Sequence, residues 1–367
     1  MREGWEYKNY QWNEVLTIIN GKNQSTVVSD EGKYPIYGSG GIMGFANEYL
    51  CPENCVIIGR KGNINKPIYV TDKFWNVDTA FGLSADSTLL LPKYLYYFCL
   101  EYNFEKHNKT VTIPSLTKVD LLKINISLPS VEHQRLIASE LDMITEMISK
   151  YDEQLKELDK LSQSIFYEMF GDPVENEKGW EVKKYGDVFE VGSGGTPSKL
   201  KNEYWDGGNI PWIGSNMCQN CIITATDGKF ITIEGLMNSS AKLLNSGTVL
   251  VALVGATIGK VALLKTETTT NQNIAFIKVQ ESKDFFPEYV FFHLMNQYQD
   301  FMTIGSGKFK MANLSFIKGL NIIKAPLPLQ QSFARKIEAI EAMKSKVREA
   351  KKEAETLLAA RMQYWFE

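Results

Sequence analysis

Two long segments of the chain repeat apolar residues at alternating intervals of four and three, the spacing of a helix that packs along another helix. In the first segment these residues are Ile137, Leu141, Ile144, Ile148, Tyr151, Leu155, Leu158, Ile165 and Met169, interrupted by Ser162. In the second they are Phe333, Ile337, Ile340, Val347, Ala350, Ala354, Leu357 and Tyr364, with Lys344 and Arg361 between them. Each segment of about 40 residues predicts a helix roughly 60 Å long.

The ends and the charges of these segments support the same interpretation. Ser130 is a suitable N-cap for the first helix, and Glu132 places a carboxylate in its first turn, where it suits the helix dipole. Gly171 and Pro173 end that helix. Residues 131–170 carry nine acidic and four basic residues, whereas 327–367 carry six acidic and eight basic ones. Opposite charges favour pairing of the two helices.

The remaining segments carry shorter apolar runs that are typical of buried strands. Residues 56–59 predict one strand, followed by a polar loop and a second strand at 67–71. Residues 249–264 predict two strands around a Gly-Ala-Thr-Ile-Gly turn. Strands combined with long helices predict a mixed α/β fold of the α+β type.

The chain also contains an internal duplication. Trp5-Glu6-Tyr7-Lys8 recurs as Trp180-Glu181-Val182-Lys183 at an offset of 175, Pro35–Ser39 as Pro211–Ser215 at 176, Pro92–Phe98 as Pro287–His293 at 195, and Leu128-Pro129 as Leu327-Pro328 at 199. The steadily rising offset indicates one duplication with later insertions in the second copy. A repeat of this length corresponds to two whole domains rather than to a solenoid.

The duplication predicts four parts: a globular domain at 1–129, a long helix at 130–171, a second globular domain at 172–326 and a second long helix at 327–367. The first helix leads from one domain to the other, so a helix that returns along it from the second domain runs antiparallel to it. This predicts two domains held apart by an antiparallel coiled coil with pseudo-twofold symmetry. The same symmetry predicts that Met1 and Glu367 lie near each other.

Composition narrows the class of protein. A chain of 367 residues with 44% hydrophobic and 12% aromatic residues is ordinary for a soluble protein with two cores. The charged N-terminal residues do not fit a signal peptide, and the most apolar stretch is too short to span a bilayer. Five cysteines, an odd number, suit a reducing cytoplasm. Cys218 and Cys221 form a lone CxxC without a second pair or nearby histidines, so we expect incidental cysteines and no metal site.

No catalytic motif is complete. Gly255–Val261 is one residue short of a P-loop and lacks the hydroxyl residue after lysine, and Gly38–Gly44 has methionine where a dinucleotide loop needs its third glycine. The Asn-Pro-Pro-Tyr and Asp-Pro-Pro-Tyr tetrapeptides of amino-methyltransferases are missing, and the three histidines leave little scope for a triad. We therefore expect no catalytic residue in this chain.

Polar loops at equivalent places of the two copies have a composition that suits nucleic acid. Arginine, lysine and asparagine match base edges and phosphates, and glycine permits close backbone approach. One such loop alone is more typical of a solvated surface, but their recurrence indicates DNA binding. The net charge of −3 argues against tight non-specific binding by the chain alone. The candidate DNA-binding residues are Tyr37, Ser39, Arg60, Lys61, Asn63, Asn65, Lys106, His107, Lys109, Thr196, Ser198, Lys199, Lys201, Tyr204, Trp205, Ser215, Asn216, Thr257, Lys308 and Lys310.

These features together resemble the specificity subunits of type I restriction-modification systems, over essentially the whole chain. The matching motifs are the Leu-Pro entry and Glu132-His133-Gln134, the run from Gly194-Gly195-Thr196-Pro197-Ser198 through Tyr204-Trp205 to Ile210-Pro211-Trp212, Thr270-Asn271-Gln272-Asn273, and the closing helix. The first domain lacks the Gly-Thr-Pro-Ser to Tyr-Trp run. It has Arg60-Lys61-Gly62 where the second has Leu253-Val254-Gly255.

The resemblance implies that each domain reads one half of a bipartite DNA site and that the helices set the spacer. It also implies two docked methyltransferase subunits and translocating restriction subunits, which would use S-adenosylmethionine, ATP and Mg²⁺. One alternative is a specificity subunit of a methylation-only or other phage-defence system. Another, of a different class, is a coiled-coil protein scaffold without DNA binding.

Overall fold

The computed structural model describes residues 4–108, 110, 113–226, 228–302 and 311–367. The chain divides into two compact units. Unit 1 comprises Met1–Glu153 and Arg348–Glu367, and unit 2 comprises Gln154–Val347. Each unit combines strands, short helices and part of both long helices, so the mixed α/β fold expected from the sequence is confirmed.

Among its described residues, unit 1 contains three small sheets. A four-stranded antiparallel sheet has the order β2-β8-β5-β6, a three-stranded sheet has the order β4-β3-β7 with β3 and β7 parallel, and β1 pairs with β9. The strands are β1 (Lys8–Gln11), β2 (Leu16–Asn20), β3 (Tyr34–Gly38), β4 (Gly41–Ala46), β5 (Cys55–Gly59), β6 (Ile68–Val70), β7 (Trp75–Asn76), β8 (Ala80–Ala85) and β9 (Asn125–Leu128). The helices are α1 (Trp12–Val15), α2 (Pro92–Glu101), α3 (Lys118–Leu121) and the long α4 (Val131–Phe170), with a 3₁₀ turn at Phe104–His107.

The core of unit 1 lies between the four-stranded sheet, α2 and the start of α4. All five residues of β5 are buried, as expected for a central strand that is covered on both faces. Leu95 and Tyr94 of α2 and Ile137 and Leu141 of α4 belong to the same apolar cluster. Pro92 opens α2, a position where its missing N–H costs no helical hydrogen bond.

Unit 2 repeats this plan with additions. Its sheets have the orders β11-β18-β15-β16-β13, β14-β12-β17 and β10-β19. The strands are β10 (Val182–Lys184), β11 (Glu190–Ser193), β12 (Ile210–Ile213), β13 (Cys221–Ile223), β14 (Phe230–Ile231), β15 (Thr248–Ala252), β16 (Val261–Leu264), β17 (Thr269–Thr270), β18 (Ile274–Lys278) and β19 (Asn321–Ile323). The helices are α5 (Tyr185–Val188), α6 (Ile233–Met237), α7 (Pro287–Asn296), α8 (Tyr298–Met302), α9 (Leu314–Gly319) and the long α10 (Leu327–Phe366).

The matching strand orders confirm the duplication. The order β11-β18-β15-β16 of unit 2 corresponds to β2-β8-β5-β6 of unit 1, and β13 extends the sheet at one edge. The parallel pair β12 and β17 corresponds to β3 and β7, and the pair β10 and β19 to β1 and β9. The strands β15 and β16 flank the glycine turn at 255–259, as the sequence predicted.

The predicted equivalence of Leu128-Pro129 with Leu327-Pro328 is wrong by three residues. Leu128 ends β9 and Pro129 precedes α4, whereas Leu327 and Pro328 already lie in the first turn of α10. The structural equivalents are Gln134 and Gln330, both fully buried, which gives an offset of 196. A proline is tolerated in the first turn of a helix, so the Leu-Pro pair recurs without marking the same position.

Gln134 and Gln330 perform the same structural task. The amide of Gln134 donates to the carbonyls of Leu89 and Pro129, and its oxygen accepts from the Leu91 amide. In unit 2 the amide of Gln330 donates to Asp284 and Ala325, and its oxygen accepts from the Phe286 amide. Each glutamine thus ties the start of a long helix to the residue before α2 or α7.

The two long helices pair in antiparallel fashion within each unit. In unit 1, Glu140 of α4 pairs with Arg361 of α10, and Asp152 pairs with Lys351 at 2.6 Å. In unit 2, Asp159 pairs with Lys344 at 2.6 Å, while Phe170 packs on Phe333 at a ring distance of 5.3 Å. As residue numbers rise along α4 they fall along α10. The pairing of an acidic helix with a basic one, expected from their charges, is therefore confirmed.

The predicted seam of α10 is wrong in its last part. Leu357 and Tyr364 are 50% and 48% exposed, whereas Trp365 is 8% exposed and Leu358 packs on the core of unit 1. The four-three spacing continues from Ile340 through Lys344, Val347, Lys351, Ala354, Leu358 and Arg361 to Trp365. Three of these positions carry cations that pair with acidic residues of α4. A pattern based on apolar residues alone therefore assigns some wrong residues to the seam after Val347.

Other expectations concern the chain ends and the cysteines. Trp5 stacks on Trp365 with ring centroids 5.4 Å apart, which places the two ends side by side within unit 1, while Met1 itself lies outside the described residues.

Burial raises the pKa of Cys55 to about 11 and that of Cys218 to about 12. The described residues contain no cluster of side chains suited to hold a metal ion. Within the same residues, no helix is both long and apolar enough to cross a membrane.

Candidate nucleic-acid interface

Three of the predicted polar segments of unit 1 lie next to one another. The oxygen of the Asn65 side chain accepts from the Phe104 amide at 2.8 Å, and its amide lies 3.4 Å from the Asn103 side-chain oxygen. This joins the loop at 60–66 to the 3₁₀ turn that carries Lys106 and His107. A Cβ atom on Gly40, in the turn between β3 and β4, would lie 4.0 Å from the Asn63 amide. The β3–β4 turn, with Ser39, therefore borders the same loop.

Arg60 and Lys61 follow the buried strand β5 directly. The guanidinium of Arg60 lies 5.7 Å from the centre of the Phe81 ring and contacts the Asp78 carbonyl at 3.4 Å. Lys61 is exposed, and its backbone pairs with Ser115 in an isolated bridge. The buried strand thus fixes the backbone from which these cations project. The backbone pairing of Lys61 with Ser115 recurs as Val254 with Met311 in unit 2, which supports the equivalence of the two loops.

The other candidates of unit 1 are held by local contacts. The Tyr102 hydroxyl lies 2.7 Å from Nε2 of His107, and the Lys106 ammonium lies 5.7 Å from the Tyr102 ring. Tyr37 packs edge-on against Phe74, and burial, with a smaller contribution from Asp72, raises the pKa of its hydroxyl. Lys109 lies outside the described residues.

In unit 2 several candidates line one cavity of about 580 Å³. The predicted residues Lys199, Trp205, Ser215 and Asn216 contribute to its walls. Five lining residues were missed as candidates: Asn202, Trp212, Gly214, Lys229 and Asn271. Trp212 and Asn271 belong to motifs that were noted in the sequence, so that signal could have placed them here. For Lys229 the sequence carries no such signal.

The loop at 194–205 is fixed on the cavity by hydrogen bonds. The indole N–H of Trp205 donates to the Ser198 carbonyl, and that of Trp212 to the Gly195 carbonyl, both at 3.1 Å. Thr196 donates from its hydroxyl to the Gln272 side chain at 2.6 Å. Gly194 and Gly195 are required because a Cβ atom would lie within 2.2 Å of Thr270 or Ser240 atoms.

The remaining candidates of unit 2 are placed differently. Tyr204 is 5% exposed, and its hydroxyl accepts from the Lys201 ammonium at 2.8 Å. Its ring belongs to the packing under the loop and is not open to a DNA contact in this conformation, because the surrounding chain covers it. Thr257 lies in the turn between β15 and β16, outside the lining of the cavity. Lys308 and Lys310 lie outside the described residues.

Each unit thus carries polar and aromatic loops on a scaffold of sheets, and the turn after β3, with Ser39, is equivalent to the turn after β12, with Ser215. Such loops on a duplicated fold define a two-domain binding protein in which each copy presents its own recognition surface.

Comparison with known proteins identifies the family. The family model described as type I restriction modification DNA specificity domain matches residues 3–159 and again residues 177–355. The chain belongs to this family.

Individual relatives agree with this assignment. The specificity subunit of the Escherichia coli type I restriction enzyme EcoR124I/EcoR124II is 27% identical over 207 residues, which is 54% of this chain and 50% of that protein. The MjaIX specificity subunit of Methanocaldococcus jannaschii is 40% identical over 97 residues, 26% of this chain and 22% of that protein. The chain therefore spans half or less of the length of these curated relatives.

Solved structures share the fold along nearly the whole chain. The crystal structure of a type I restriction-modification S subunit from M. genitalium has a TM-score of 0.62 at 13% identity and covers 99% of this chain and 96% of that one. A chain from a study of complex assembly and conformational transition of the type I R-M system has a TM-score of 0.58 at 15% identity, covering 100% and 99%. At such identities the likeness concerns the fold alone.

Proposed function

We propose that this chain is the DNA-recognition subunit of a type I restriction-modification complex. In this proposal residues 1–129 and 172–326 are two target-recognition domains, and each reads one half of a bipartite site. The observation that carries the proposal is the double match to the DNA specificity domain, once on each copy of the duplication. The polar loops around Arg60 in unit 1 and Trp205 in unit 2 would supply the contacts to phosphates and base edges.

The long helices at 130–171 and 327–367 would set the spacer between the half-sites and dock two methyltransferase subunits. Their ion pairs support a stiff element: Lys344 with Asp159 in unit 2 and Lys351 with Asp152 in unit 1. Inserting one heptad into both helices would keep the seam in phase and add about 10 Å, roughly three base pairs. We expect the methylated motif to gain spacer positions with both half-sites retained, and an unchanged spacer would count against this role.

The chain itself would carry no catalysis. Methyl transfer, restriction and translocation would belong to the methyltransferase and restriction subunits, which would bind S-adenosylmethionine, ATP and Mg²⁺ in the cytoplasm. The incomplete nucleotide-binding and methyltransferase motifs of the sequence support this division of labour. Methyl transfer to DNA by the purified chain, free of any partner, would refute it.

The decisive experiment is a domain exchange. Residues 1–127 are replaced by the corresponding domain of another family member, and the methylated motif of the host is read by methylome sequencing. Because each domain has its own core, one half-site should change while the other stays the same. A host with the gene deleted is the control, and it should lose the motif altogether. A change in both half-sites, or no change, would contradict the proposed division of the site.

A further inference from the structure

Two tryptophans line the cavity of unit 2, the partly exposed Trp205 and the largely buried Trp212. The rings of Trp205 and Trp212 lie at 80° to each other with centroids 5.4 Å apart. Each indole N–H is already bonded to a backbone carbonyl of the 194–205 loop. These bonds fix the ring planes. Trp212 is 7% exposed and packs with Ile231 and Ala241, so the partly exposed ring of Trp205 offers the main stacking surface. Such a surface suits a flat ligand that stacks.

Amide side chains stand beside the tryptophans. The Asn271 side-chain oxygen accepts from the Asn273 amide at 3.0 Å, while no hydrogen bond of its Nδ2 to another described residue is present. Among the described residues, no hydrogen bond of the Asn202 or Asn216 carboxamide to another residue is present. A carboxamide presents a donor next to an acceptor, the pattern that asparagine uses to read a base edge.

Gly214 keeps the space between these amides open. A Cβ atom at this position would lie 2.7 Å from the Asn216 oxygen and 3.7 Å from the Asn271 nitrogen. A side chain at this position would therefore crowd the Asn216 carboxamide and touch that of Asn271. The cavity of about 580 Å³ is within the range of roughly 300–1,000 Å³ that holds small organic ligands.

The equivalent place in unit 1 is filled. A Cβ atom on Gly38, the counterpart of Gly214, would lie 2.7 Å from the Met43 sulfur and 3.5 Å from a methyl group of Val77. Val77, which the register of the parallel strands makes the counterpart of Asn271, is an apolar residue that is 6% exposed. The open, amide-lined cavity is therefore a property of unit 2 and not a by-product of the shared fold.

We propose that the cavity lined by Trp205, Trp212, Asn216 and Asn271 binds a single nucleobase that has left the DNA stack. This inference rests on the DNA-recognition function proposed above. Lys199 and Lys229 lie at the same cavity and provide positive charge for the phosphates that flank the base. Aromatic stacking holds an unstacked base without regard to its identity.

The test uses the full chain at low salt with two fluorescent DNA duplexes of the same sequence. One carries a single bulged 2-aminopurine, which is already unstacked, and the other is fully paired. We expect the bulged duplex to bind about 5- to 100-fold more tightly, since stacking on one aromatic ring contributes a factor of this size. The 2-aminopurine emission should also be quenched on binding. Equal affinities, including no measurable binding of either duplex, would overturn the inference.

Variants assign the effect to the cavity. Trp205→Leu should abolish the preference for the bulged duplex, whereas Trp205→Phe should retain most of it because a ring remains. Tyr167→Leu removes a 44% exposed aromatic residue of the same unit from a different place and should change nothing. Asn216→Ala, at an exposed position, should lower the preference without disturbing the loop. A preference that survives in both Trp205→Leu and Asn216→Ala would mean that the base binds elsewhere.

Three further outcomes distinguish a free-nucleotide site from a DNA site, and this inference from the proposed function. Equal quenching of free 2-aminopurine nucleotide at the same concentration would identify a free-nucleotide site and overturn the assignment to DNA. If the paired duplex binds specifically without any preference for the bulge, only this inference fails. If the domain exchange leaves the methylated motif unchanged, the proposed function fails instead.

Discussion

Arg60 is held in position before any ligand is present. Its guanidinium lies over the Phe81 ring and contacts the Asp78 carbonyl, at the end of a fully buried strand. A side chain that is ordered in advance loses little entropy when it binds. We expect Arg60→Ala to weaken binding of the cognate DNA by about 1–3 kcal/mol and to relax specificity at one position, as measured by a competitive gel shift.

Lys123→Ala is the matched control for Arg60→Ala. Lys123 is an exposed cation of the same unit, in the segment between α3 and β9 and away from the polar loops. Its removal should lower the affinity slightly and equally for all DNA sequences, because its charge contributes only to the sequence-independent electrostatic attraction. If the two variants behave alike, Arg60 makes no base contact.

His293 is a fully buried histidine of the α7 helix. Its Nε2 accepts from the Ile323 amide at 3.2 Å, and its Nδ1 lies 3.3 Å from the Tyr185 hydroxyl. Burial lowers the pKa of His293 to about 3. The neutral ring is therefore an acceptor within the core of unit 2.

This burial predicts a pH-dependent stability. The unfolded chain takes up a proton near pH 6.5 and the folded one only near pH 3, so the contribution of His293 is fully present above pH 6.5. It is lost at about 1.4 kcal/mol per pH unit as the pH falls between those values. His293→Gln keeps an acceptor for Ile323 but does not titrate. Urea unfolding from pH 7 to pH 4 should show a flatter profile for this variant, and parallel profiles would contradict the prediction.

At the scale of elements, the seam between α4 and α10 relies on charged as well as apolar contacts. Arg361 donates through Nη2 to the Glu140 carboxylate at 2.9 Å, and the Trp365 indole donates to the same oxygen at 3.0 Å. The Arg361 guanidinium also lies 5.0 Å from the centre of the Trp365 ring. This pair therefore belongs to a small network rather than to an isolated surface contact.

A double-mutant cycle measures the coupling within this network. We expect Arg361→Ala and Glu140→Ala to show a coupling energy of about 1 kcal/mol in chemical unfolding, at the upper end for partly exposed pairs. The control is the pair Lys150 and Glu146, which lies 2.7 Å apart along α4 with both side chains well exposed. That pair should couple by only about 0.3–0.5 kcal/mol. Equal coupling energies in the two cycles would show that the position at the helix seam does not strengthen the pair of Arg361 and Glu140.

The same seam shows where sequence reasoning succeeds and where it fails. The spacing of apolar residues located both helices to within a residue or two of their observed ends, because caps and stop signals are local. It failed over Leu357 and Tyr364, because three seam positions of α10 are occupied by cations whose acidic partners lie on another helix. Pairing across helices is tertiary information, and a search for apolar spacing does not contain it.

The candidate site was predictable to a lesser extent. Loop composition pointed to Trp205, Ser215 and Asn216, which line one cavity. It also pointed to Tyr204, whose ring is buried. Sequence composition does not distinguish an aromatic residue that packs beneath a loop from one that is exposed to a ligand. Lys229 reaches the cavity from a distant part of the chain. Only the fold reveals such a convergence.

At the scale of the whole molecule, the two copies have kept one scaffold and changed its details. In unit 1 the indole of Trp75 on β7 donates to the Lys22 carbonyl, and in unit 2 the indole of Trp212 on β12 donates to the Gly195 carbonyl. Both bonds hold the loop that follows the first strand of the main sheet. Trp75 lies on β7, whereas Trp212 lies on β12, the equivalent of β3. The space beside the tryptophan therefore differs between the two units. In the proposed function, divergence of this kind would allow the two domains to read different half-sites.

The proximity of the chain ends predicts that the order of the two copies can be exchanged. Trp5 stacks on His133 at 3.7 Å and on Trp365 at 5.4 Å, all within unit 1. The new opening is chosen between Gly171 and Asp172, where Gly171 has a φ of +75° and ends the long helix. A short linker between Glu367 and Met1, together with this opening, leaves every sheet intact.

We expect the permuted chain to fold with a thermal midpoint within a few degrees of the original and to direct methylation to the same DNA motif, because permutation is tolerated where ends are close and the opening lies outside the core. The control carries the same linker but opens between Ile57 and Ile58, inside the fully buried strand β5. It should fail to fold, since a central strand would lose its continuity. A permuted chain that unfolds like the control would show that the contact between Trp5 and Trp365 does not persist in solution, and the antiparallel pairing of the helices in unit 1 would then need another explanation.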